Sequence, residues 1–482
     1  MAMEKVNPPE NPGQGPTARF GAWASGLVFE AIPLEVVEHA KLCLLDGLGC
    51  GLFGSTQKWG AITSQVAVDL SGGGASSLWG RQATASPSDA AFVNGTAIHG
   101  YEIDDVHLRG LFHPGAVTIP AVLALAEARN MGGRRLLTAM IAGYEVGARV
   151  SMCAGIPHQM RGYHPTGTAG CLCAAAGVAN LLGLSPEQAT HALGIAATQA
   201  AGLYSAVQAG AMTKRMHAGR AAQSGVMAGL LAEKGFTGST DVLETPVSGY
   251  MSTLADRQDL APFVASLGRE WETPEAGFKA YAACASAHTT IDAVDALMKR
   301  GLSTANLDRL TVYMSRSGMN NVGWEYRPTS ITGAQMNGYF AAAVKLIDGE
   351  AFIDQYREDR IADPSILKLI KKIEFKHDPA LDIEGAAKRH AVKVEARTID
   401  GQVWHEYVEQ RRGSAQRPLS VGEVETKFCR TAGAVLAPDA VQRLLASIWE
   451  VDRAGDLRGL CGLLRGNGAP ATRAVSSLVQ PA

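Results

Sequence analysis

Residues 33–45 read Pro-Leu-Glu-Val-Val-Glu-His-Ala-Lys-Leu-Cys-Leu-Leu, and their period sets the fold class. Leu34, Val37 and Leu44 with their neighbours fall on one stripe at helical spacing, and Pro33 stands at a first-turn position where its missing N–H costs nothing. Helical patterning of this kind extends from residue 31 to about 243. Ser185-Pro186-Glu187-Gln188 predicts a capping box, with Pro at N1 and Gln at N3, opening an apolar helix through Ala200. Residues 167–182 and 218–232 are rich in Ala and Gly, so helices there can pack backbone to backbone in the middle of a bundle.

The character changes near 245–275, where Pro246, Gly249, Pro262 and Glu270-Trp271-Glu272-Thr273-Pro274 break the helical run. Beyond it, 310–315 and 391–397 alternate as strands, and Asp400-Gly401 predicts a type I′ hairpin into 402–408. Helical spacing over 334–347 and 364–373 lies between them. The expected organisation is a disordered lead-in (1–18), a helical domain (19–271), a smaller α+β domain (272–412), helices that can rejoin the first domain (413–465) and a flexible tail (466–482). The fold class is mainly α.

A chain of 482 residues exceeds what one hydrophobic core usually organises. Its net charge is −2 with cations spread along it, so no basic face for nucleic acid and no polybasic membrane anchor is visible. No purely apolar run of eighteen residues suggests a membrane span. The eight cysteines form no CxxC pair and lie mostly in Ala/Gly-rich surroundings, which suits reduced thiols in a cytoplasm. The N-terminus has no apolar core of a signal peptide.

Residues 99–118 concentrate chemistry: His99, Glu102, Asp104, Asp105, His107, Arg109 and His113 fall within twenty positions of a chain that is 19% charged. Clustered carboxylates and imidazoles set one another's pKa, as proton transfer requires; a solvated polar loop is the plainer alternative. Asp104, Asp105, His107 and His113 offer four metal ligands, but their spacing matches no common metal motif, and no metal is expected. No G-x-S-x-G is present, and Gly72-Gly73-Gly74 reads as a turn. Lys214, Arg215 and His217 would open the helix at 218–232, placing cations at a helix N-terminus suited to a carboxylate. Tyr163-His164-Pro165 precedes another small-residue helix.

Together these stretches resemble the MmgE/PrpD family of 2-methylcitrate dehydratases, cis-aconitate decarboxylases and an iminodisuccinate epimerase. The resemblance rests on His99-x-x-Glu102-x-Asp104-Asp105 with His113, Tyr163-His164-Pro165, Ala196-Ala-Thr-Gln-Ala200 and Met212-x-Lys214-x-x-His217-x-Gly219. It continues through Gly235-Phe236, Phe278-Lys279-x-Tyr281 with His288, Arg327-Pro328 and Leu346-Ile-Asp-Gly349, spanning about 20–460 in order. It implies a large helical domain built from both ends of the chain, an inserted α+β lid, a homodimer and a metal-free, cofactor-free cleft. The resemblance carries over Glu102, His113, His164, Lys214 and Lys279 as catalytic positions; the site expected from all the readings has Glu102, Asp104, His113, His164 and Lys214 as catalytic residues and Lys279, His217, Arg215, Tyr163, His107 and Cys284 as substrate contacts. Two positions depart from some members: Cys284 replaces a histidine and Val106 a threonine.

The chemistry common to such enzymes is proton transfer at carbon beside a carboxylate, with cations stabilising enolate-like charge while a base poised near neutral pH moves the proton. Lys214 and Lys279 suit the first role, His113 and His164 the second, and Glu102 or Asp104 would fix tautomer and charge. His107 is expected to be structural or to support the site from behind. The expected function is a lyase on a small tricarboxylate, by dehydration or decarboxylation. An epimerase of a small dicarboxylate and a catalytically silent dimeric anion-binding protein are the alternatives.

Overall fold

The computed structural model describes residues 15–257, 259–382 and 389–466. Its first half is helical: α1 (Pro16–Gly26), α2 (Leu34–Ser55), α3 (Pro87–Ile98), α4 (Pro114–Ala128), α5 (Gly133–Met160), α6 (Pro165–Leu182), α7 (Pro186–Ala197) and α8 (Thr213–Glu233). Helix α6 is the axis, packed against α1, α4, α5, α7 and α8. It is long and apolar enough to cross a membrane by composition, yet 94% of it is buried within the protein. Small residues permit the close packing: a Cβ added at Gly219 of α8 would lie 2.2 Å from the Phe92 carbonyl oxygen of α3.

Several local expectations meet the structure directly. Ser185 and Gln188 form the capping box reciprocally, although the helix they open ends at Ala197, before Ala200. Pro33 is the N-cap of α2, one residue outside it, and Leu34 is 72% exposed. The buried face of α2 runs instead through Val36, Val37, Ala40, Cys43 and Leu44, an arc about a third of a turn from Leu34. Helix α1 begins at Pro16, inside the stretch expected to be disordered, because Phe20, Trp23 and Ala24 bury against the bundle. Residues 1–14 and 467–482, which hold most of the lead-in and the tail, lie outside the described residues. All eight cysteines are free thiols.

The second half contributes α9 (Ala285–Lys299), β1 (Leu307–Met314), α10 (Gly338–Asp348), β2 (Ile373–His377), β3 (Val392–Thr398) and β4 (Val403–Val408). The sheet order is β2-β1-β3-β4, with β1 parallel to β2 and the other pairs antiparallel. Helix α9 packs on β3 and β4, and α10 on α9 and β2. Strand β2 lies where helical spacing was expected to run through 373; that helix stops at Ile370 and the chain pairs with β1. The hairpin at Asp400-Gly401 is not type I′. Thr398 and Gln402 close it by hydrogen bonds, leaving three loop residues, and only Gly401 (φ 86°) adopts the left-handed conformation. A three-residue loop needs positive φ only at its last position.

Helices α11 (Val421–Ala432) and α12 (Pro438–Trp449) return to α2. Lys427 of α11 is buried, its Nζ 2.6 Å from Asp46 of α2 and also donating to the Ile103 carbonyl. The connector is fixed from α5. Glu145 accepts the amides of Glu272 (2.9 Å) and Thr273 (2.7 Å) while its own carboxylate pairs with Arg149 at 2.6 Å.

Candidate active site

Helix starts converge on one cavity. His113 and His164 each precede a proline that opens a helix, α4 and α6 respectively. The residue before proline is pushed into extended backbone, and both histidines take it, with φ/ψ of −114°/87° and −95°/107°. Lys214 lies in the first turn of α8, and Cys284 is the N-cap of α9. The cavity is lined by Glu102, His113, Tyr204, Lys214, Lys279, Cys284, Arg389 and His390, among others. It opens outward past Gln159, Tyr204, Asn321 and Met336, which it shares with a vestibule of about 440 Å³.

Glu102 is the electrostatic centre. It follows a 3-10 turn over His99–Tyr101 and takes a left-handed conformation (φ 58°), a backbone state that side chains other than glycine adopt at a cost. Its carboxylate pairs with Lys214 through one oxygen and with Lys279 Nζ at 3.1 Å through the other. Burial pushes its pKa up, but the two ammonium groups outweigh burial and hold it well below the usual range. All three side chains are buried.

Beside this cluster, one Asp104 oxygen is hydrogen-bonded to His99 Nδ1 at 2.7 Å and faces His113 Nδ1 at 3.1 Å outside hydrogen-bond geometry. Burial raises the Asp104 carboxyl, and the two imidazoles more than reverse that, so it is ionised. Burial lowers both histidines; His99 falls to about 3, and for His113 Lys279 and Lys214 add to burial against Asp104. Both imidazoles are therefore neutral at pH 7. With Nδ1 turned to Asp104, Nε2 of His113 is the nitrogen left to exchange a proton with a bound molecule. His99, Asp104 and His113 also bring one potential ligand atom each within 4.8 Å of one another, a set able to hold a metal ion. It differs from the set weighed from sequence, because Asp105 is turned to the Gly115 amide (3.1 Å) and Tyr144 hydroxyl (2.9 Å), and His107 to Glu272.

Other residues expected at the site stand away from the cavity wall. His164 stacks on His99, with ring centroids 5.3 Å apart, and its Nδ1 lies 3.0 Å from His217 Nδ1. Tyr204, which does line the cavity, meets the His164 ring edge-on at 5.1 Å. Tyr163 stacks on His158. Arg215 is buried under Trp59, its guanidinium carbon 3.9 Å from the ring centroid, with Nε donating to the Gly100 carbonyl. His107 is bound by Glu272 (2.9 Å) on one nitrogen and by the Gly110 amide (3.0 Å) on the other, a structural clamp on the loop.

The MmgE/PrpD N-terminal domain matches residues 18–262, and the MmgE/PrpD C-terminal domain matches 281–452. The chain belongs to this family. It is 30% identical over 472 residues to the cis-aconitate decarboxylase-like protein oryM of Aspergillus oryzae, covering 93% of this chain and 97% of that protein. It is 31% identical over 484 residues to a cis-aconitate decarboxylase of Aspergillus terreus, covering 96% and 98%. The human cis-aconitate decarboxylase is 29% identical over 465 residues, covering 94% and 95%.

Within this MmgE/PrpD chain, sequence reading missed the part of the wall that comes from outside the motifs. Gln159, Tyr204, Asn321, Met336, Arg389 and His390 all line the cavity or its mouth. The kink in α5 is the one local signal for Gln159: Gly155 (φ 63°) and Pro157 break the helix just before it. Arg389-His390 lies in the turn just before β3 starts at Val392, an adjacent pair of basic groups that sequence spacing did not link to residues 99–118.

Proposed function

We propose that this protein is a lyase that removes CO2 or water from a small tricarboxylate, with decarboxylation of a cis-aconitate-like substrate the favoured reaction. The observation that carries the reading is the placement of Lys214, Lys279, Glu102 and His113 around one buried cavity. The names of the fungal and human relatives support the choice of reaction.

In a decarboxylation of this type the C–C bond to one carboxylate breaks as CO2 leaves, and its electron pair forms a new C=C. The pair of the old double bond takes a proton at the carbon bearing another carboxylate. Charge that develops on that carboxylate is met by the lysines, preorganised by Glu102, where a low dielectric strengthens the interaction. A bound polyanion raises the pKa of His113, turning the neutral imidazole into an acid held in place by Asp104. Dehydration uses the same group as base. We further propose a homodimer, supported by an exposed apolar stripe at helical spacing, Ile62, Val66 and Leu70.

Incubating the purified protein with citrate, 2-methylcitrate, cis-aconitate and iminodisuccinate, before and after chelation by EDTA, tests the reading. It expects CO2 or a new olefin from a tricarboxylate, unchanged by chelation. In Lys214→Ala and Lys279→Ala the specificity constant should fall roughly 100-fold, or about 2.7 kcal/mol. Inversion of iminodisuccinate without loss of a group would replace the lyase with the epimerase. Activity lost to EDTA and restored by one divalent ion would make the His99–Asp104–His113 set a metal centre.

A further inference from the structure

Two arginines of the second half end in the protein interior with no carboxylate paired to them among the described residues. Arg411 is 1% exposed, and none of its three guanidinium nitrogens has a hydrogen-bond partner among the described residues. Arg389 is 8% exposed; its Nε donates to His390 Nε2 at 3.0 Å, and its Nη1 has no partner. The acid whose field reaches Arg411 is Asp292, and it is already engaged, accepting from the Tyr281 hydroxyl and the Arg412 amide, both at 2.7 Å. An unpaired buried cation carries a desolvation penalty that a folded chain does not retain without return, and here Arg389 lies close enough to depress Arg411 further. Burial brings each guanidinium down to about 10.

Their position points to what offsets that penalty. Arg389 lines the cavity beside Cys284, Ala285 and Ser286, the start of the fifteen-residue helix α9. Cys284 offers that helix no side-chain cap; the Ala287 amide donates to the Cys284 carbonyl at 2.8 Å, and no side chain competes for the amides of Ala285 and Ser286. The fields of both arginines reach Cys284. The Lys214–Glu102–Lys279 cluster with Asp104 is electrically balanced, two cations against two carboxylates, so surplus positive charge comes from Arg389, which lines the cavity, and from Arg411, which does not line it but whose field reaches Arg389 and Cys284.

We propose that Arg389 and the first turn of α9, backed by the buried charge of Arg411, form a second carboxylate subsite, which takes the arm of the substrate farthest from Lys214 and Lys279. Guanidinium groups bind carboxylates in a fork of paired N–H donors, and helix starts favour anions. The subsite makes the cavity select polycarboxylates over monocarboxylates. This rests on the polycarboxylate reading above but does not require turnover.

The test uses the full-length protein and tricarballylate, a saturated tricarboxylate with neither a double bond nor a leaving hydroxyl, titrated by calorimetry. In Arg389→Met and Arg411→Met its Kd is expected to rise roughly 10- to 100-fold, while the ligand-free melting temperature stays level or rises because a buried unpaired charge is gone. Arg389→Lys, which keeps the charge without the fork, should recover part of the affinity. A Kd within twofold of wild type in either methionine variant, or no binding of tricarballylate to wild type, overturns the subsite. So do methionine variants that fail to fold while the lysine variant binds like wild type. Arginine-dependent tricarballylate binding without turnover of any tricarboxylate would overturn the lyase reading and leave the subsite standing.

Discussion

The role proposed for His113 rests on its Nδ1 facing Asp104 at 3.1 Å, a charge contact without a closed hydrogen bond, while the ring lines the cavity. A positioned acid or base is worth roughly 10²- to 10⁴-fold in rate, so His113→Ala should lose that much in kcat while circular dichroism shows the helices intact. His107→Ala should do the reverse: kcat changes little, while the melting midpoint falls, because Glu272 loses a buried partner worth about 1–3 kcal/mol. A dominant His107 and a dispensable His113 would refute the assignment. Much of this was legible in residues 99–118, because a crowded run of acids and imidazoles in a lightly charged chain needs partners. Which imidazole faces the cavity was not legible, since that depends on Pro114 and Pro165 turning each histidine at a helix start, and only packing sets His113 forward and His164 behind Tyr204. Arg389 and His390 escaped for another reason: tertiary folding alone brings them to residues nearly three hundred positions earlier.

At the scale of elements, small residues hold the helices that carry the site. Gly219 lets α8, which presents Lys214, lie on the backbone of α3, which leads into His99 and Glu102. Gly219→Ala would push a Cβ to 2.2 Å from the Phe92 oxygen, and the backbone must shift. Overpacking of this kind costs about 1–3 kcal/mol; chemical denaturation should show it, with a larger proportional loss of activity than a neutral surface substitution gives. The Ala/Gly content of these helices announced such packing, and the capping box at Ser185 announced its helix. Strand β2 was not legible, because Ile373-Glu-Phe-Lys-His377 pairs through β1, more than sixty residues away, and its own five residues carry too little pattern to compete with the preceding helix. Leu34 misled for a similar reason, since periodicity ranks apolar positions without knowing which side the neighbours occupy.

For the whole molecule, buried neutral histidines make acid the vulnerable side. His99, His113, His164, His288 and His390 all lie below the ordinary 6.5 through burial, His99 at about 3. Unfolding lets each take up a proton as pH falls below 6.5, so the unfolded state binds more protons and stability declines from there toward each folded-state value. Each contributes up to about 1.4 kcal/mol per pH unit while it does so. Denaturation midpoints should therefore be level between pH 7 and 8 and fall steeply from 6.5 to 4, before most carboxylates titrate; a midpoint unchanged down to pH 5 would contradict the burial of these rings. The central claim, that one cavity moves a proton onto carbon as a group leaves a tricarboxylate, meets its most direct test in D2O. Turnover of cis-aconitate followed by NMR should show CO2 release with one deuterium entering the product carbon beside a carboxylate for each turnover, and His113→Ala should slow both together by at least about 100-fold. Release of CO2 without deuterium in the product, or a His113→Ala rate equal to wild type, would contradict it.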